Sequence, residues 1–199
     1  MRFVVLSSSR GTTLQAILDA IKEGALTAEC VGLITDREDR GCIEKAKAAG
    51  LPYVVVEKGV GESREEYDQR LDESLHSFGN VDVIAAMGWM FVLSPPFIRR
   101  WKNRILNVHP ALLPAHGGEG MFGAKVHQAV LDAGERESGM TIHFMDEGVD
   151  SGRIIVKKSC IVDAGETIES LKEKVQALEK EWYPKVLRMI EGGEIDVGV

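Results

Sequence analysis

Within the first 56 residues the chain alternates between short apolar runs and amphipathic stretches that end in glycine. "RFVVLSS" leads into a stretch where Leu14, Ile17, Leu18 and Ile21 recur at i, i+3, i+4 and i+7, one face of a helix, before Gly24 stops it. "ECVGLITD" is a second strand, "GCIEKAKAAG" a short helix closed by Gly50, and "PYVVVE" a third strand. This βαβαβ opening leaves few folds available. Strands joined through helices run parallel, and the helices cover both faces of the sheet they build.

The pattern continues downstream. Ser63 and Glu66 form a capping box for a helix whose Tyr67, Leu71 and Leu75 repeat along one side. "VDVIAAMGW" and "RILNVHP" are the fourth and fifth strands, separated by a brief helical turn at "SPPFIRR". "AKVHQAVLDAG" is helical. "SGMTIHFMDEG" and "GRIIVKKSCIV" read as two paired strands, the first alternating Met140, Ile142 and Phe144 against Thr141, His143 and Met145. A long helix closes the chain, with Ile168, Leu171, Val175, Leu178 and Trp182 on one stripe. Repeats, low-complexity tracts and linkers are absent. The expected fold is α/β: a doubly wound, mostly parallel seven-stranded sheet in one domain spanning residues 1–199.

Composition narrows the function. A formal net charge of -7 opposes attraction to a nucleic-acid backbone, so a small-molecule substrate is expected and nucleic acid is not. No apolar run approaches the roughly 18 residues of a membrane span, and "MRFVVLSSSRG" is too short a core for a signal peptide, which points to the cytoplasm. Cys30, Cys42 and Cys160 form no C-x-x-C pair, the histidines show no H-E-x-x-H, and the serines no G-x-S-x-G elbow. No metal is expected. The sequence leaves the oligomeric state, monomer or homodimer, open.

In an open parallel sheet, functional groups gather beyond the carboxyl ends of the strands, and four segments should meet there. "SSSRGTTLQ" joins strand one to helix one; Gly11, Thr12 and Thr13 offer a close backbone approach, hydroxyls and free N–H groups to a phosphate, or else simply a capped turn. "AAMGWMFVLSP" leaves strand four through Gly88 and offers apolar walls and backbone groups to a flat heterocycle, or else core. Asn107 and His109 stand two apart, so in a strand both side chains point the same way. A neutral imidazole there can take a proton and an amide can donate to an oxygen gaining charge, which suits acyl transfer; the alternative is a His stacked on Pro110. "DEGVDSG" carries Asp150 between Gly148 and Gly152, either a solvated loop or a carboxylate that raises the pKa of His109 and orients its ring.

Taken in this order, the segments resemble the phosphoribosylglycinamide formyltransferases, from "VVLSSSRGTTLQAI" through "SREEYD", "MGWMFVLSP", "ILNVHPALLP" and "GVDSG" to "VQALEKEWYP". The most specific element is Asn-x-His-Pro with L-L-P, followed about 40 residues later by an Asp in a glycine-flanked loop. The resemblance implies a formyltransferase fold with a Rossmann-like N-terminal half and 10-formyltetrahydrofolate as co-substrate. It implies His109 as general acid/base, Asn107 as the group polarising the formyl oxygen, and Asp150 as the carboxylate that raises the His109 pKa and holds a relay water. It places the glycinamide ribonucleotide (GAR) substrate at Gly11, Thr12, Thr13 and Glu179, and the folate at Arg64, Met90, Phe91, Val92, Leu93 and Asn107. A cis peptide before Pro114 is also implied.

Three departures from the family pattern stand out. Gly-Thr-Thr replaces the common Gly-Ser-Asn and loses an amide that contacts GAR. Phe91 stands where an Arg is frequent. "HGGEGMFGAKVH" is longer and richer in glycine than the usual loop, so closure over substrate should differ. Other 10-formyltetrahydrofolate enzymes with this domain, a methionyl-tRNA formyltransferase or a formyltetrahydrofolate deformylase, are expected to need added domains that 199 residues do not accommodate. A non-catalytic phosphate-binding module is the rival from outside the enzymes.

Overall fold

The computed structural model describes residues 1–198. Its first half is β1 (Arg2–Leu6), α1 (Thr12–Lys22), β2 (Glu29–Thr35), α2 (Cys42–Ala48), β3 (Tyr53–Val55) and α3 (Arg64–His76). The second half is β4 (Val83–Met87), α4 (Pro95–Arg100), β5 (Ile105–His109), α5 (Ala124–Asp132), β6 (Glu137–Phe144), β7 (Ile154–Ile161) and α6 (Ile168–Glu191). The boundaries follow local chemistry. Ser63 and Glu66 close the expected capping box at the start of α3. Gly24 and Gly50, both at positive φ, turn the chain out of α1 and α2.

The strands form one sheet in the order β3-β2-β1-β4-β5-β6-β7. The first five in that order run parallel, and β6 and β7 are antiparallel additions. The winding reverses between β1 and β4, so the loops after these neighbouring strands diverge and open a crevice at their carboxyl ends. Two apolar layers flank the sheet. On one side α1 and α6 pack over Phe3, Val5, Ala85 and Leu106; on the other α3 and α4 bring Tyr67, Leu71, Phe97 and Trp101 against Val4, Ile84 and Ile105. Tyr183 of α6 reaches under the crevice, its hydroxyl donating to the Ala86 carbonyl at 3.1 Å.

Two elements depart from the sequence expectation. Alternation in β6 predicts one polar face, yet Thr141 and His143 are as buried as Met140, Ile142 and Phe144. The polar face is covered by the chain after β5: Thr141 Oγ1 donates to the Ala111 carbonyl at 2.7 Å and accepts the Leu113 N–H at 3.0 Å. Leu113–Pro114 is cis, as the resemblance implies. In α6, Leu178 and Trp182 sit at the margin of the apolar layer, and the buried residues are Leu171, Val175, Tyr183, Val186, Leu187 and Ile190. Read at every fourth residue, the buried row from Leu171 to Leu187 passes through Glu179, a carboxylate in an otherwise apolar series.

Candidate active site

The crevice between the β1 and β4 loops deepens into a cavity of about 660 Å³. The β1–α1 loop, the segment after β4, the end of β5, the glycine-rich segment before α5, the loop after β6 and one side of α6 all contribute to its wall.

Asn107 and His109 project from the same face of β5, as two-residue spacing requires. The His109 ring lies between two acceptors. Nδ1 is 3.2 Å from Asp150 Oδ2, and Nε2 is 2.8 Å from the His116 carbonyl. Asp150 sits at φ 57°, a left-handed conformation that turns its carboxylate inward, where it also accepts the Gly118 N–H at 3.1 Å. Its glycine neighbours serve by close packing: a Cβ on Gly152 would lie 1.8 Å from the Phe144 carbonyl oxygen, and one on Gly148 2.1 Å from Ser151 Oγ.

His143 completes the group, and the sequence reading assigned it no role. It faces Asn107 directly in the β5–β6 register. Its Nδ1 is 2.9 Å from the Phe144 carbonyl, which can only accept, so Nδ1 carries a proton. Nε2 lies 3.2 Å from Asn107 Nδ2 and 3.6 Å from Asp150 Oδ1, an acceptor for the amide when the ring is neutral and a donor to the carboxylate when it is charged. This contact uses one amide hydrogen of Asn107 and leaves the other, with the orientation fixed, for the cavity. The signal in the sequence was the strand pairing itself, which puts residue 143 opposite residue 107.

Burial and the Asp150 carboxylate act on His109 in opposite directions. Burial pushes the His109 imidazole below its ordinary value; the Asp150 carboxylate and the His116 carbonyl pull it upward but do not overcome burial. Asp150 thus acts on His109 in the expected direction, and burial outweighs it. Asp150 is pushed up by burial, yet the His143 contact, the His109 charge and the Gly118 N–H together hold it below the usual carboxylate value. At neutral pH the pair is a carboxylate facing a mainly neutral imidazole.

At one end the cavity is polar. Thr12 and Thr13 open α1 on its wall, and Thr13 Oγ1 donates to Glu179 Oε2 at 3.3 Å. Burial pushes the Glu179 carboxyl up to about 7, against the Thr13 hydrogen bond and the Lys172 charge. Gly11 at φ 77° does not line the cavity; its Cα faces α2, where a Cβ would lie 2.8 Å from Cys42 Cα. At the other end the wall is apolar. Met90, Phe91, Val92 and Leu93 line it together with Trp89, and the Phe91 ring centroid lies 5.1 Å from that of Tyr67 and 5.6 Å from that of Trp89. Asp68 of α3 accepts the Ser94 N–H at 2.5 Å and so anchors the end of this segment. Arg64, expected at the folate, stands exposed at the start of α3 outside the cavity wall. No group of His, Cys, Asp and Glu side chains suited to a metal occurs among the described residues.

A cavity with an amide, an imidazole and a carboxylate between a polar and an aromatic end suits acyl transfer between two small molecules. Residues 1–187 match the family described as formyl transferase, and the chain belongs to that family. Within it, the chain is 31% identical to the phosphoribosylglycinamide formyltransferase of Bacillus subtilis, over 96% of this chain and 95% of that protein. It is 36% identical to the trifunctional purine biosynthetic protein adenosine-3 of Bos taurus over 99% of its own length, but spans only 19% of that larger protein. The crystal structure of glycinamide ribonucleotide transformylase 1 from Symbiobacterium toebii superposes with a TM-score of 0.90 at 36% identity, over 97% of this chain and 88% of that one.

Proposed function

We propose that the chain transfers the formyl group of 10-formyltetrahydrofolate to the primary amine of 5′-phosphoribosylglycinamide, giving N-formyl-GAR and tetrahydrofolate, as a cytosolic step of purine synthesis acting on small molecules alone. The observation that carries this reading is the placement of His109 and Asn107 side by side at the middle of a cavity with one polar and one aromatic end.

The aromatic end fits a pterin. Trp89, Phe91 and Leu93 supply flat apolar contact. The folate supplies the electrophilic formyl carbon. The residues around it position and move protons. Asn107 donates its free amide hydrogen to the formyl oxygen as that atom gains negative charge. His109, neutral at pH 7 because burial depresses it, accepts a proton from the attacking amine and returns it to the departing folate nitrogen. Asp150 holds the ring in place and stabilises the imidazolium while it exists. The His116 carbonyl now occupies Nε2, so the reacting groups must replace it there. Holding both substrates in one cavity makes the step effectively intramolecular.

The test is an incubation with 10-formyltetrahydrofolate and GAR, omitting each in turn, while tetrahydrofolate and formyl-GAR are followed. Formation of both products only with both substrates is expected. Folate turnover without GAR would assign a hydrolase instead, and GAR binding with no consumption of the donor would reduce the protein to a binding module.

A further inference from the structure

A second cleft, of about 200 Å³, opens at the end of the sheet opposite the catalytic cavity, where Asn80 and Val81 lead into β4. The last turn of α3 and the segment leaving α4 form its walls, with His76, Arg100, Trp101 and Arg104 among the lining side chains. The sequence concentrates positive charge here: Arg99, Arg100, Lys102 and Arg104 fall between residues 99 and 104 of a chain whose net charge is -7. Such a patch attracts anions that the rest of the surface repels.

Arg104 is held rigid without being neutralised. Its Nε donates to the Asp82 carbonyl at 2.7 Å, Nη2 donates to the Val81 carbonyl, and the guanidinium lies 4.5 Å from the centre of the Trp101 ring. These partners are two neutral carbonyls and a π face, and they leave Nη1 free. Arg99 pairs with Glu147 and Arg100 with Asp72, whereas no carboxylate pairs with Arg104 among the described residues. Arg100 gives Nη1 to Asp72 Oδ2 and keeps Nε and Nη2. Both carboxylates nearby are occupied. Asp72 Oδ1 accepts the Trp101 Nε1–H at 2.8 Å, and Asp82 accepts the Arg2 N–H at 2.7 Å and the Asn80 amide at 3.1 Å. The carbonyls of Leu75 and His76 that end α3 accept the N–H groups of Phe78 and Gly79, and His76 Nδ1 donates to the Asp72 carbonyl at 2.7 Å. Asp72 offsets one guanidinium charge of the cleft, and the fixed one on Arg104 remains.

We infer that this cleft binds a small phosphate-bearing anion whose oxygens bridge Arg100 and Arg104. A phosphoryl group carries about two negative charges at pH 7 and acceptor oxygens enough for two guanidinium forks, whereas a carboxylate fills one fork only. The free phosphate ion and a small phosphate ester share this chemistry. The cleft and the catalytic cavity have no lining residue in common, so the site stands whether or not the reaction assigned above does.

The experiment follows the indole N–H signals of Trp101 and Trp89 by NMR, reporters of the cleft and of the cavity, each assigned through its loss in Trp101→Phe or Trp89→Phe. Inorganic phosphate and glycerol 3-phosphate are titrated separately at constant ionic strength, with sodium chloride and sodium acetate as controls. Phosphate and its ester are expected to move the Trp101 signal along a saturable curve that chloride and acetate do not reproduce. The midpoint should rise roughly 10-fold in Arg104→Met, the low end for a charge-assisted hydrogen bond, and roughly 2- to 5-fold in Arg100→Met, whose side chain is exposed. Arg99→Met, at a side chain paired with Glu147 outside the cleft, should leave it unchanged. A lower midpoint for inorganic phosphate assigns the free ion and a lower one for glycerol 3-phosphate assigns an ester; either supports the cleft. A Trp101 signal that neither probe moves, that acetate moves equally, or whose midpoint is the same in Arg100→Met and Arg104→Met as in wild type overturns the inference, as does a response confined to Trp89. If Arg104→Met fails to fold, Arg100→Met decides, because Arg100 stands at the surface and is tied to Asp72 alone.

Discussion

At the scale of single residues, the arrangement around His109 sets two outcomes. His109→Ala should lower kcat by roughly 10² to 10⁴ with unchanged circular dichroism, because a positioned general base contributes in that range. Turnover near wild type would remove the imidazole from the mechanism. Asp150→Asn tests the charge. The carboxylate favours the imidazolium, so its removal lowers the His109 pKa further and lets the basic form persist in more acid solution. The acid limb of kcat/KM against pH is expected to move to lower pH in this variant, on a reduced maximum; a shift toward higher pH would show that Asp150 does not act on His109 through charge. Asn107 and His109 were legible in the sequence because two-residue spacing at a strand end leaves their direction no freedom. The net fall of the His109 pKa was not, because sequence identifies a neighbouring carboxylate but not how much solvent the fold excludes. Motif position places Gly11 and Arg64 at substrates; in the fold Gly11 packs against Cys42 and Arg64 stands exposed at the start of α3.

At the scale of elements, the fold was readable wherever hydrophobic period and turn chemistry agreed, as in the βαβαβ opening and the α3 capping box. It was unreadable where burial comes from something other than a neighbouring strand or helix. The second face of β6 is the case in point. Thr141 and His143 look like solvent-facing residues by alternation, but the Ala111–Leu113 segment and the Asp150 loop close over them. Thr141 thereby ties the sheet to the chain that leaves His109. Thr141→Val keeps the shape and removes both hydrogen bonds, stranding a buried carbonyl and a buried N–H. The expected cost is about 1 to 3 kcal/mol in urea unfolding, with a fall in kcat as the segment behind His109 loosens. Unchanged stability would mean that the backbone groups of Ala111 and Leu113 find other partners.

For the molecule as a whole, two buried groups across the cavity make stability depend on pH in opposite senses. His127 has its folded pKa pushed from 6.5 down to about 4, so as pH falls below 6.5 the unfolded chain takes up a proton that the folded chain refuses, and stability drops. Glu179 has its folded pKa raised from 4.5 to about 7, so as pH rises above 4.5 the unfolded chain releases a proton that the folded chain keeps, and stability again drops. Between about pH 4.5 and 6.5 the two slopes oppose each other, each at most about 1.4 kcal/mol per pH unit, and the Glu179 slope is the smaller because its carboxylate is partly open to the cavity. Single substitutions unmask them. Relative to wild type, His127→Phe should lose stability as pH rises through this window, and Glu179→Gln should gain it, both read from urea midpoints at several pH values. Relative to wild type the double variant should also lose stability as pH rises, but less steeply than His127→Phe. If both single variants instead track wild type across the window, the two groups titrate in the folded chain as they do in water, and the cavity wall is far wetter than its packing implies.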